Sequence, residues 1–440
     1  MKKLTKHAKS IADNLIQFLD NAPTPFHATQ SIAQRLEEAN FTNLKEEELW
    51  ETKPGGRYYV IREDASIAGW INGKTAPASS GFRIIGAHTD SPNLRIKPNP
   101  NIKKNNYQQL GVEVYGGVLL SSWMDRDLSI AGRVMATGIN NKKLTKHFVL
   151  LDSSILRIPL LAIHLNPDVN TNGLVLNRQN HLAPIFGLES KQKDPLKFLL
   201  AQELGLKSSQ IIDYDLCLYD LQKADFLGPQ QEFIAGSRID NLFSCFCGLE
   251  SLLQVSKRKD IPETNCMMVA FDNEEIGSLT SQGARSSFLS SILNRINHSV
   301  GQPSPQAYER SLSTSVFLSA DMAHAIHPNY QEKHEPQHFP YLNEGPVIKR
   351  NAQGRYTTSG HSSAHFEMIC RNRNIPVQKF VNRTDLSCGS TIGPFVASDL
   401  GITAIDIGAA MLSMHSIREM CGSLDPYYML EAFKGFYTDA

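Results

Sequence analysis

The sequence predicts an α/β protein: a mixed-sheet α/β domain interrupted by a β-rich insert. Three observations lead there. Several short apolar strands run directly into ligand-type residues, as in Met267–Phe271 before Asp272-Asn273-Glu274-Glu275. Helical stripes flank these strands, with apolar residues recurring at Ile11, Leu15, Ile16 and Leu19, and again at Leu242, Cys245, Phe246, Leu249, Leu252 and Leu253. Between about Leu94 and Phe233 the texture changes to short β-type runs with few helical patterns. The predicted boundaries are 1–93 and 235–440 for the two parts of the α/β domain and 94–234 for the insert.

At 440 residues the chain is too long for one ordinary core. Lys+Arg and Asp+Glu both number 44, so nothing points to nucleic acid or an anionic membrane as partner. No apolar run reaches the roughly 18 residues of a membrane span. The N-terminus reads as an amphipathic helix over 8–20 rather than a signal peptide. With seven scattered cysteines, buried reduced thiols in a cytoplasmic protein are expected.

In chain order, Asn21-Ala22-Pro23-Thr24-Pro25 ends the first helix and Phe26–Glu38 forms a second. Tyr58–Ile61 and Ile67–Ile71 are strands. Phe82–Ala87 is another, and it runs into His88-Thr89-Asp90. In the insert, Val112–Tyr115, Val118–Leu120, Ile130–Met135, Phe148–Leu151 and Leu174–Leu176 read as strands, with Asn140-Asn141 among the turn signals. Asp125-Arg126-Asp127 reads as an ion-pair network. Asp240 precedes a helical stripe, where it can cap the helix or bind a metal. Ser313–Leu318 ends near Asp321. Residues 327–340 are an irregular, His-containing loop, and Lys349 falls in a hairpin. Val377–Val381 and Ile402–Ile407 are strands, and Met411 and His415 follow the second.

Collected, these ends supply His88, Asp90, Glu274, Glu275, Asp321 and His415, with Asp240 at a helix start. Adjacent buried carboxylates need a cation or a shared proton. If the segment is extended, Glu274 and Glu275 face opposite sides and do different jobs. Imidazole and carboxylate donors suit Zn²⁺, Mn²⁺ or Co²⁺, and a bridging carboxylate suits a two-metal site.

The blocks GAHTDSP, GSRIDN, DNEEIGS, SADMAHA and MLSMHS resemble the M18 family of metallopeptidases, the aspartyl aminopeptidases. NAPTPFHA and SSWMDRDLSIAGRV extend the resemblance nearly end to end. It implies a di-metal aminopeptidase catalytic domain, a β-rich dimerisation domain and a tetrahedral homododecamer built from dimers. By motif match His88, Asp240, Glu275, Asp321 and His415 are the metal ligands, with Asp240 bridging. Glu274 is the general base for attack by a metal-bound hydroxide, and Asp90 orients His88. Lys349 is the cation favouring acidic N-terminal residues of peptide substrates, with Met411 near the pocket. His164 reaches a neighbouring subunit's site, or serves as the third histidine of an alternative His88, His164 and His415 zinc site. The chain departs from the family at Leu160 and at Ala409-Ala410. Competing readings are a two-metal deacylase, an aminopeptidase of broader specificity, and a non-enzymatic shell with a relict site.

Overall fold

The computed structural model describes residues 4–138, 143–189, 191–301 and 304–439; the turn expected at Asn140-Asn141 lies outside them. The chain divides into two compact units. The larger comprises Met1–Asp90, Ala224–Met414 and Glu419–Ala440; the smaller comprises Ser91–Lys223 and His415–Arg418. Ala224–Ile234, placed in the insert from sequence, belongs to the larger unit, because strands Asp225–Leu227 and Phe233–Gly236 pair with each other and Phe233–Gly236 pairs with Glu419–Gly422.

The larger unit is built on a nine-stranded mixed sheet. At its centre Asn265–Phe271, Phe82–His88, Val316–Ala320 and Thr403–Gly408 run parallel, so their carboxyl ends share one edge. These strands are nearly uniform apolar runs, the pattern of strands covered on both faces. Helices Lys6–Asn21, Pro25–Glu38, Ile239–Ser256 and Asp425–Thr438 bury apolar stripes in one core. Phe288–Val300 and Ile392–Leu400 pack into another. Pro25 takes the first turn of its helix, where its missing N–H costs nothing. A second sheet of five strands includes Glu419–Gly422 and Ala410–Leu412.

Lys349 is not in a hairpin. Its strand, Val347–Arg350, pairs in parallel with Gln378–Val381 and antiparallel with Thr403–Gly408. Just before it, the buried Asp425 accepts the amide hydrogens of Asn343 at 2.8 Å and Gly345 at 3.1 Å. Burial pushes this carboxyl up to about 7 against the pull of those N–H groups. The folded value exceeds the unfolded one, so its titration stabilises fully below the unfolded value of about 3.9. That contribution is lost as pH rises through the folded value. Asp425→Ala is expected to cost about 2–5 kcal/mol, because two buried N–H groups lose their acceptor. The difference in Tm between variant and wild type should shrink from acid to neutral pH. An unchanged Tm would refute the role.

The smaller unit is a six-stranded antiparallel sheet around its own apolar core. Tyr107–Tyr115, Leu128–Thr137 and Leu144–Leu150 realise three of the expected strands. Val118–Leu120 and Leu174–Leu176 form none. Asp125 and Asp127 pair with Arg157, and Arg126 with Asp220. All seven cysteines are free thiols, and only Cys388 is not fully buried. Among the described residues, no helix is long and apolar enough to cross a membrane.

Candidate metal centre

The parallel register brings the chemistry together. Phe271 lies opposite His88 on one flank, and Ser319 opposite Gly86 on the other. Two residues further along each strand, Asp321 comes level with His88, while the chain leaving Phe271 turns through Asp272-Asn273 into Glu274. Clefts at the carboxyl ends of parallel strands are the usual place for a site in such sheets.

His88 is the hub. Its Nδ1 lies 3.0 Å from the Asp90 carbonyl and 3.3 Å from Asp90 Oδ1. That fixes the ring and leaves Nε2 facing three carboxylates: Asp240 Oδ1 at 3.6 Å, Asp321 Oδ1 at 3.7 Å and Glu274 Oε2 at 4.0 Å. Its carbonyl accepts the Cys245 thiol at 3.0 Å. Burial pushes that thiol up to about 12, so it is a donor here and not a thiolate ligand.

Glu274 and Glu275 do not lie in extended chain. Glu274–Ile276 is one 3₁₀ turn, entered through Asn273 at φ +63° and left through Gly277 at φ +95°. Successive side chains then diverge by about 120° rather than 180°. Asp90 holds this turn: its Oδ1 accepts the Glu274 N–H and its Oδ2 the Glu275 N–H, both at 3.1 Å. The carboxylate expected to orient His88 thus also shapes the neighbouring turn. Asp240 has extended backbone (φ −82°, ψ 106°) and sits with Asn241 at a kink, after which the helix runs on to Ser256.

The electrostatics call for a cation. Burial pushes Glu274 up to about 8; Asp321, Asp90 and Asp240 add to the rise and His88 opposes it. Burial alone would depress His88, but the Asp321 and Asp90 carboxylates beside the ring outweigh it and hold the imidazole well above its usual value. Burial alone would lift Asp321, yet Lys349 and His88 hold its carboxyl well below the carboxylate range. The ligand atoms of His88, Glu274 and Glu275 lie within 4.8 Å of one another, as do those of His88, Asp240 and Asp321. Donors about 2.1 Å from a tetrahedral zinc stand about 3.4 Å apart, close to the 3.6–3.7 Å from His88 Nε2 to Asp240 and Asp321. The imidazole–carboxylate donor set therefore fits a divalent ion.

Lys349 is 2% exposed, with Nζ 3.0 Å from the Met322 carbonyl and 3.4 Å from Asp321 Oδ2. Met411 is also buried, its side chain packed in the core rather than facing solvent. In the smaller unit, His415 (φ +66°) has Nδ1 3.0 Å from the Gly117 carbonyl. His164 stands exposed there in the turn Ile163–Leu165 and belongs to none of the candidate ligand groups among the described residues.

Comparison with known proteins agrees with this chemistry. The family model described as "Aminopeptidase I zinc metalloprotease (M18)" matches residues 18–437. The chain belongs to the M18 family of aminopeptidases. It is an enzyme, a hydrolase acting on peptides, and metal-dependent. A relative named "Probable M18 family aminopeptidase 2" from Pseudomonas aeruginosa (strain UCBPP-PA14) is 46% identical over 431 residues, 97% of each chain. Among solved M18 structures, the one titled "Cryo-EM structure of the Ape4 and Nbr1 complex" superposes with TM-score 0.95 at 38% identity, covering 99% of this chain and 87% of that one. The S. cerevisiae mApe1 dodecamer gives TM-score 0.87 at 30% identity, covering 98% and 97%.

M18 membership was legible in the strand-end residues. The bracing of the site by Cys245 was not, since a thiol inside a helical stripe reads as core.

Proposed function

We propose that this M18 enzyme removes the N-terminal residue of peptides, preferring Asp or Glu, with two divalent ions as cofactors. The observation that carries the reading is the buried convergence of Asp240, Asp321 and Glu274 on His88 Nε2. His88, Asp240, Glu275, Asp321 and His415 would hold the ions, with Asp240 shared. Zinc is the expected metal, with Mn²⁺ or Co²⁺ as substitutes. When bound, such ions polarise the scissile carbonyl and acidify water.

The chain's own residues do the rest. Glu274 takes a proton from the attacking water at its carboxylate and passes it to the leaving amine. Asp90 holds the Glu274 and Glu275 amides, and with them the direction of both side chains. His88, pinned through Nδ1, presents only Nε2. Burial of His88, Asp90 and Asp240 keeps bulk water out, which strengthens every charge interaction inside.

Lys349 is the residue we assign to the acidic preference, as the buried ammonium beside Asp321. Its test is a panel of peptides beginning with Asp, Glu, Leu and Lys, with and without a chelator. Chelator-sensitive release of Asp and Glu is expected to dominate. Lys349→Gln should then lower the Asp-to-Leu ratio of kcat/KM at least tenfold. An unchanged ratio with reduced metal content would leave Lys349 as the partner of Asp321 alone. Release confined to N-acylated amino acids would favour a deacylase.

We also propose a homododecamer built from dimers, in the cytoplasm; the yeast relative's title describes a dodecamer for that protein. On the smaller unit Leu160, Leu161, Ile163 and Leu165 are 42–72% exposed in one short segment around His164. A contiguous apolar segment of this kind fits an interface, and His164 would reach a neighbouring subunit from it. Light scattering tests the assembly, and a monomer at micromolar concentration would refute it.

A further inference from the structure

We infer that Glu419 is a positioning residue for the shared ligand Asp240, acting through a hydrogen bond to the Asp240 main-chain N–H. The inference rests on the metal reading above.

Glu419 opens the strand Glu419–Gly422, opposite Gly236 at the end of Phe233–Gly236. It is 2% exposed, and its Oε2 lies 3.0 Å from the Asp240 nitrogen. The turn it meets is anchored on both sides. Arg238 donates from Nε to the Ala22 carbonyl at 3.0 Å and from its terminal nitrogen to Leu19 at 3.2 Å, gripping the end of helix Lys6–Asn21. Asn241 donates from Nδ2 to the Ala320 carbonyl at 2.8 Å, one residue before Asp321. Those contacts fix the neighbours of Asp240. Glu419 fixes Asp240 itself, because the orientation of that peptide plane sets where the Asp240 Cβ points.

A buried carboxylate beside an already anionic cluster is costly on desolvation and repulsion alone. Its placement is explained if the hydrogen bond, by its reach and direction, holds the ligand in register. Partners of this kind change metal affinity by about 10- to 100-fold when lost.

Two variants separate reach from charge. Glu419→Asp keeps the charge and is one methylene too short; Glu419→Gln keeps the reach and removes the charge. The metal-free proteins are titrated with Zn²⁺ alone by competition with a chromophoric chelator, and the melting temperature of each metal-free form checks that it is folded. Glu419→Asp is expected to bind zinc about 10- to 100-fold more weakly than wild type, and Glu419→Gln within about threefold of it. Glu419→Gln as weak as Glu419→Asp overturns the inference, as do two variants that both bind like wild type. Wild type that takes up no zinc overturns the metal reading itself, which keeps the two failures apart.

Discussion

Glu274→Gln is expected to lower kcat by about 10²- to 10⁴-fold, the range that a positioned general base contributes, with metal content unchanged. The amide is isosteric with the carboxylate and cannot take a proton from water at neutral pH. It leaves the main-chain N–H of residue 274 on Asp90 Oδ1, so the 3₁₀ turn and the Glu275 side chain should keep their places. The loss should therefore appear in kcat, with KM nearly constant, because binding of the substrate does not use the proton. Metal analysis by mass spectrometry on the same sample decides the assignment. A variant that loses metal in step with activity would make Glu274 a ligand, and the division of labour with Glu275 would have to be redrawn. Asp90→Asn offers a contrast: it weakens both amide contacts and the support of His88 together. Its effect should fall on metal affinity as well as on turnover.

The comparison of sequence with structure is instructive at particular residues. Strand ends were legible because an apolar run that stops at His88-Thr89-Asp90 or at Asp272 breaks pattern abruptly, and a buried strand has no other reason to place charge there. Asn93–Lys104 was not recognised as a strand, since Pro98 and Pro100 cannot donate to a ladder. The structure accommodates them with a register shift between Ile96 and Asn101. Lys349 was placed in a hairpin because its neighbours are turn formers, and no local pattern marks a Lys in mid-strand as buried. Its tertiary partners, Asp321 and the Met322 carbonyl, explain its burial. Glu419 carries no local signal at all: its contact is with a main-chain N–H 179 residues away. The extended geometry assumed for Glu274 and Glu275 failed for a related reason. The turn is specified by the Asp90 carboxylate, two residues past the end of another strand, which no pattern within DNEEIGS reveals.

Removing the metal is expected to abolish activity and lower Tm by several degrees, and the behaviour of Asp240→Ala shows why. A ligand that binds only the folded state stabilises it by RT ln(1 + [L]/Kd), about 4 kcal/mol at a free concentration a thousand times Kd. Titrating Zn²⁺ back should restore both activity and Tm in the wild type. Asp240→Ala removes the carboxylate 3.6 Å from His88 Nε2 while the main-chain N–H to Glu419 is kept. Its Tm should not respond to zinc over the range that saturates wild type. In chelator the order should reverse. There the wild type buries Asp90, Asp240 and Asp321 beside Glu274, with His88 and Lys349 as nearby cations among the described residues. Deleting one of several like charges relieves their mutual repulsion and one desolvation cost, so Asp240→Ala should melt at or above the metal-free wild type. A variant that melts well below wild type in chelator would mean that Asp240 supports the fold by itself. The crossing of the two curves, lower with metal and level or higher without it, is the signature of a carboxylate kept in place for a cation.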